Sequence, residues 1–344
     1  MLFRSNDWLD VNVDPDNSNN SSATVESRLP WIQHYYMYAW GNASMRGVTI
    51  AGLMSQTSTT STNGLLSAWN PAQGATTTSY QNWFIGAACN IDDMIAAAEK
   101  TGAYHYIGAA HVIHAMGYML MTDLYGEMPY SEPLGSNPTP IYDDGQTIFN
   151  GCIARLDLAL ENFNKAQEEG AIPLSAGDSW NQGDVQKWIK LCYGLKARWL
   201  NKLSKKSALY DPQAVLDALA KAPQSHAEST IMKHSNAGDQ DTNFTVGDPY
   251  QTSTIWDCAA WGATQRYTKW YVDLHTNLRG AGVTDPRLSK VIPARMSNIQ
   301  VTDAGALLNY EWSRDKGVDV MYGHRRIYGA LLNASVATAN VAKN

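Results

Sequence analysis

The sequence predicts a mainly α-helical protein built as tetratricopeptide-like stacked helix pairs, with long irregular loops and little β-structure. Apolar residues recur at helical spacing in one segment after another between Leu29 and Leu219. Gly and Pro punctuate the joins between those segments. The segments also fall into neighbouring pairs of loosely similar length, although the strict tetratricopeptide signature is absent.

Taken in order, the chain opens on Trp8 to Asn20, an Asp/Asn-rich stretch around Pro15 that reads as an extended entry segment. Asp14, Asp16 and Asn17 lack the spacing of an EF-hand loop, so an Asx-rich turn is expected there and no metal. Helical patterning starts near Leu29, with Pro30 acceptable in a first turn, and runs through Trp31, Tyr35 and Tyr38 past Trp40. From Thr49 to Tyr80 the chain is Ser/Thr/Gly-rich and loop-like, broken by Leu65, Leu66 and Trp69. A helix is predicted over Trp83 to Lys100, its stripe being Phe84, Ala87, Ala88, Ile91, Met94, Ile95 and Ala98, with Gly102 as terminator. A very short turn then makes an antiparallel partner of the next helix.

That next helix is the most sharply written. From Thr101 to Thr122 there is no Asp, Glu, Lys or Arg, and apolar residues occupy two faces, so a helix buried nearly all round is expected. Asp123 ends the uncharged run, Gly126 permits a turn, and Pro129 and Pro133 stiffen the loop that follows. Thr147 to Glu168 repeats the helical design through Ile148, Cys152, Leu156, Ala159, Phe163 and Ala166. Asp184 to Lys206 does so through Trp188, Cys192, Leu195, Trp199 and Leu203, with lysines at the negative end of the dipole. Asp211-Pro212 reads as an N-cap and first-turn proline. Beyond His226 the pattern weakens: Trp261 to Thr276 reads as helical, Asp285-Pro286-Arg287 as a turn, and the end from Gly317 is Gly/Ala/Asn-rich. The expected organisation is one domain over 1–344, with a helical scaffold at 26–225 and a loop-rich, ligand-side region at 226–344.

Composition narrows the function classes. Hydrophobic residues are 44% and charged residues 17% of the 344, enough for an ample core. A formal net charge of −6 provides no footprint for nucleic acid. No apolar run is long and unbroken enough to span a membrane. Met1 to Ser5 are too short and polar for a secretory signal, so either the protein is cytosolic or its start lies upstream, and truncation at both ends is expected. The four cysteines show no metal-ligand spacing; those at 89, 152 and 192 are expected as buried free thiols.

Catalytic patterns are missing: no HExxH, no nucleophile elbow, no phosphate-cradling loop. Asp123 with Glu127 or Glu132 could be drafted as a glycosidase pair. At a helix end, Asp123 and Glu127 are better read as bonding to loop N–H groups. His111 and His114, three apart on the central helix, read as core histidines. Twelve Trp and 18 Tyr against only 5 Phe favour partly wet surfaces, since both rings carry a polar edge. The candidate ligand contacts are Trp69, Tyr80, Trp256 and Trp261, with Asn70, Gln265 and Arg266 to bond hydroxyls or amides.

The stretch TDLYGEMPYSEPL, followed by PIYDDGQTIF, resembles the SusD/RagB family of outer-membrane nutrient-binding lipoproteins. The matching positions are Asp123, Leu124, Tyr125, Gly126, Pro129, Tyr130, Ser131, Glu132, Tyr142, Asp143, Ile148 and Phe149; WLDVNVDPDN and TDPRL resemble further pieces. The resemblance implies four tetratricopeptide-like pairs, a lipid anchor at the cell surface, no catalysis and no cofactor. It also implies delivery of oligosaccharides, or peptides in some members, to a SusC-like TonB-dependent transporter. The anchoring cysteine of such proteins does not occur in this sequence, and Asp123, Tyr125, Gly126, Pro129, Tyr130 and Glu132 are expected to be architectural. The readings of another class are a surface glycosidase and a scaffold that binds only protein.

Overall fold

A computed structural model describes residues 23–56, 65–66, 69–71, 75, 77–132, 137–232, 265–288, 295–301 and 307–313. These fall into two compact units, one holding 23–39, 80–132 and 137–232, the other the remainder. The protein is mainly helical, and the strands among the described residues form two two-stranded ladders.

In order, α1 is Val25–Ile50, β1 Met54–Gln56 and α2 Thr77–Gln81. A π-turn, Asn82–Ala87, and a 3-10 turn, Ala88–Asn90, lead into α3, Ile91–Lys100. The central helix is α4, Tyr104–Tyr125, followed by α5, Gly145–Phe163, α6, Val185–Asn201, and α7, Pro212–Leu219. Then come β2, Gln265–Tyr267, and α8, Lys269–Thr276, with β3, Arg295–Val301, and β4, Leu307–Ser313, pairing antiparallel.

The charge-free helix is buried as its composition requires: residues on both faces of α4, from Tyr106 to Met121, are enclosed. Such a helix forms through packing rather than propensity. Two glycines let adjoining elements close in. A Cβ at Gly117 would collide with the Trp83 ring, and one at Gly86 with Tyr35. The stripes of α3, α5 and α6 face the same core through Met94, Ile148, Leu156, Trp188 and Cys192. Both Asp184 and Asp211 cap their helices, accepting from the second and third amides of α6 and α7. At α5 the cap is Asp144, which accepts from Thr147 N.

Several expectations change. The helix predicted from Trp83 holds a π-turn, whose extra residue rotates the following positions. Cys89, beside the apolar stripe rather than on it, is exposed, while Cys152 and Cys192 are buried and free. The helix predicted to reach Glu168 ends at Phe163 on Asn164, and the one predicted to reach Lys206 ends at Asn201 before a 3-10 turn. Trp261 to Thr276 is not one helix: Gln265–Tyr267 pair antiparallel with Met54–Gln56, and Thr268 caps α8 by accepting from Tyr271 N.

One buried charge organises its surroundings. The Asp178 carboxylate, 5% exposed, accepts from Gln33 Nε2 (2.9 Å), Trp188 Nε1 (2.8 Å) and the amides of Trp180 (3.0 Å), Asn181 (3.2 Å) and Gly183 (3.0 Å). Two successive left-handed residues, Gln182 (φ 56°) and Gly183 (φ 86°), curl the chain so that the last amide reaches it. Five donors replace its hydration shell, which is what permits a carboxylate to sit in the core.

Candidate ligand-contact aromatics

Trp69 sits in a tight helical terminus. The Asn70 amide donates to the Leu65 carbonyl (2.9 Å) and the Trp69 amide to the Leu66 carbonyl (3.0 Å). Those two bonds make a Schellman motif, whose penultimate residue must be left-handed and is usually glycine. Here it is a tryptophan at φ 54°, with its side chain 73% exposed. A left-handed L-residue costs about 1–2 kcal/mol, and leaving an indole in water forgoes the burial that would offset it. Asn70 follows it and is exposed as well.

Tyr80 ends up beside the signature loop. Its ring lies 4.4 Å from Phe84 and stands edge-on to Tyr125 at 5.7 Å, with 36% of the residue exposed. Burial raises its phenol above the ordinary tyrosine value, and the neighbouring Tyr142 phenol raises it further. Gln265 and Arg266 lie in β2, opposite Gln56 and Ser55. Trp256 and Trp261 lie outside the described residues. Sequence reasoning missed Trp270, 51% exposed in the first turn of α8; the misassigned helix start hid which face it occupies.

The signature loop is held from within. Asp143 accepts from the Tyr130 amide (2.9 Å), the Ser131 amide (2.8 Å) and the Ser131 hydroxyl (3.0 Å). Those donors pull its carboxyl below the ordinary Asp value. Its own amide donates to the Met128 carbonyl at 2.9 Å, and the Met128 amide returns a 3.3 Å bond. Gly126, at φ 80° and ψ −127°, ends α4 in a conformation open essentially to glycine alone. Pro129 is buried, and Tyr130 packs edge-on to Tyr118 at 4.8 Å and against Gly151. Glu132 accepts from Asn137 Nδ2 at 3.0 Å.

Asp123 departs from expectation. It takes an ion pair from Lys202 (2.7 Å) rather than loop amides, because the loop amides are already served by Asp143. An exposed pair of this kind contributes about 0–1 kcal/mol, so its main effect is to occupy the carboxylate. His111 and His114 are core histidines. Burial, then the Arg155 guanidinium, hold His111 down at about 4; burial chiefly holds His114 well below the usual value. Arg155 Nη1 lies 3.0 Å from His111 Nδ1, so the neutral ring is the acceptor. Among the described residues no group of three or more His, Cys, Asp or Glu is arranged to hold a metal.

Comparison with known proteins agrees with this architecture. Residues 19–320 match a family model, SusD-like, described as starch-binding and associating with the outer membrane. No curated protein matches the chain. Among solved structures, a SusD/RagB family protein from Bacteroides thetaiotaomicron is 20% identical, with 75% of this chain and 52% of that one covered, at a TM-score of 0.57. A chitin-binding protein is 21% identical over 87% of this chain and 60% of its own, at 0.63. A chitin-binding SusD homologue from Flavobacterium johnsoniae is 15% identical over 81% and 55%, at 0.56. The chain thus spans between about half and two-thirds of the length of these structures, and at such identity the likeness establishes the fold.

Proposed function

This chain belongs to the SusD-like family, and from that premise we propose that it is a non-catalytic surface protein that captures oligosaccharides for a SusC-like TonB-dependent transporter of the outer membrane. The observation that carries the capture step is Trp69, a large ring left in water on a backbone conformation that disfavours it. The turn requires a left-handed residue but not a tryptophan, and strain accepted where glycine would carry none is of the kind that clusters at functional sites. An indole face stacks on the apolar face of a pyranose, and the Asn70 amide beside it can donate to and accept from sugar hydroxyls. Trp256, Trp261, Gln265 and Arg266 are assigned to the same task from their residue types.

Carbohydrate is favoured over peptide by the family description and by two structural relatives named for chitin binding. Attachment at the outer membrane is assigned to a lipid anchor on the family reading; no helix among the described residues is long and apolar enough to cross a membrane. The Asp123 carboxylate, which a glycosidase reading would draft, is held by Lys202.

Affinity electrophoresis against a panel of neutral and acidic polysaccharides tests this reading, with reducing ends assayed in parallel. Retardation by at least one glycan with no new reducing ends is expected. Reducing ends accumulating with time, or no retardation by any glycan, would contradict it.

A further inference from the structure

Among the described residues, the last α-helix of the unit that holds 137–232 is α7, and it leaves an apolar ridge in water. One face of α7 packs on α6: Val215 and Ala218 join Ala197 in a small core of their own. On the flank, Pro212, Leu216 and Leu219 stand at i, i+4 and i+7, which is one line along a helix. All three are exposed, Leu216 at 58% and Leu219 at 48%, and Leu209, just before the helix, is 51% exposed. The outer helix of a stacked array ordinarily turns a polar face to water, so these leucines depart from what solubility asks.

The free charge around the ridge is positive. Lys205 and Lys206 precede α7 and Lys221 follows it, all exposed. Other lysines of this region are paired, Lys190 with Glu228, Lys196 with Asp157 and Lys202 with Asp123. Among the described residues, Lys205, Lys206 and Lys221 have no carboxylate partner, and the Tyr193 ring, 5.1 Å under the Lys221 ammonium, does not neutralise it. The two acids of α7 are occupied. Asp211 accepts from the amides of Gln213 and Ala214, and Asp217 accepts from Gln213 Nε2 at 2.8 Å, on the flank away from the leucines.

We propose that the leucine ridge of α7 and the lysines beside it dock on an anionic lipid bilayer. The proposal rests on the reading of the protein as one held at the outer membrane. Leucines of an interfacial helix enter the boundary between headgroups and acyl chains, while flanking lysines meet lipid phosphates. Three side chains on a convex helix fall well short of the roughly 800 Å² that each partner gives to a stable protein interface. A bilayer needs no complementary groove, and a tether to the same membrane supplies the effective concentration that makes a shallow contact sufficient. With the chain at a net −6, an anionic surface repels most of the molecule and attracts this end, which fixes how the tethered protein stands.

Flotation of the full chain with vesicles tests the site, using phosphatidylcholine alone and phosphatidylcholine mixed with phosphatidylglycerol. Partition into the mixed vesicles is expected, falling as salt is raised, with about a tenth as much into the neutral ones. Lys205→Gln/Lys206→Gln and, separately, Leu216→Ser/Leu219→Ser should each lower partition about tenfold. All four side chains are exposed, so the urea midpoints of both double variants should match the parent. Equal partition into both kinds of vesicle, or parent-like partition of either double variant, would overturn the site. Retardation by a glycan without any vesicle binding would overturn it too, and leave glycan capture standing. Self-association of the chain that Leu216→Ser/Leu219→Ser abolishes, with no vesicle binding, would reassign the ridge to a second copy.

Discussion

Two helix ends in this molecule share one hydrogen-bond pattern and differ in the residue at its critical position. At the end of α3, the Ala103 amide donates to the Ala98 carbonyl and the Gly102 amide to the Glu99 carbonyl, with Gly102 at φ 64°. At residues 65–70, the same pair of bonds encloses Trp69 at φ 54°. Glycine at the first is what backbone sterics call for, and there a Cβ would also strike Glu168. Tryptophan at the second costs backbone energy and leaves its ring in water. The contrast separates a position set by architecture from one set by what the surface has to meet.

Substitutions on the architectural side should damage stability, and those on the Trp69 side affinity. The largest effect belongs to Asp178→Ala, which strands five donors, two of them indole and amide side chains in the core. A loss of about 3 kcal/mol or more is expected in urea unfolding. If the loss is under 1 kcal/mol, the carboxylate is not the organiser described above.

Gly126→Val comes next. No atom crowds an added Cβ there, so the cost is purely conformational, about 1–3 kcal/mol, with glycan affinity per folded molecule unchanged. A valine variant as stable as the parent would show that the end of α4 can adopt another conformation freely.

Acid should act on the scaffold through the two core histidines. Their folded values lie below the ordinary 6.5, His111 at about 4, so the unfolded chain binds more protons over that interval. Stability is then intact above about pH 6.5 and declines as pH falls toward about 4. Urea midpoints at several pH values check the sign, and His111→Gln should flatten the decline. A midpoint that rises on acidification would contradict it.

The parts of this account legible in the sequence are those with local causes. The charge-free helix, the stripes of α5 and α6, and the caps at Asp184 and Asp211 all follow from spacing and from residue chemistry within a few positions. What was not legible is non-local or phase-dependent. The pairing of Met54–Gln56 with Gln265–Tyr267 joins distant segments, and it shortened the predicted helix at Thr268. The π-turn at Asn82–Ala87 has no signal in composition, and the exposure of Cys89 follows from its place beside the buried stripe of Ala88 and Ile91 rather than on it. Asp178 gave no periodic pattern, although an Asp in a polar loop just before Trp180 and Asn181 is an Asx-turn signature that could have drawn notice. Of the candidate contacts, the exposure of Trp69 follows its loop-like surroundings, whereas its left-handed backbone is a property of the folded turn.

The smallest stability effect, and the sharpest separation, is expected at Trp69 itself. Glycine there relieves about 1–2 kcal/mol of backbone strain, offset by about 0.5–1 kcal/mol of added unfolded-state freedom. The decisive measurement is therefore a paired one on Trp69→Gly: urea unfolding, and calorimetric titration with the neutral glycan that binds the parent most tightly. A midpoint equal to or above the parent's, with affinity lowered about fivefold or more, is the result predicted. Parent-like affinity in a variant of equal or greater stability would contradict the assignment of Trp69 to the ligand.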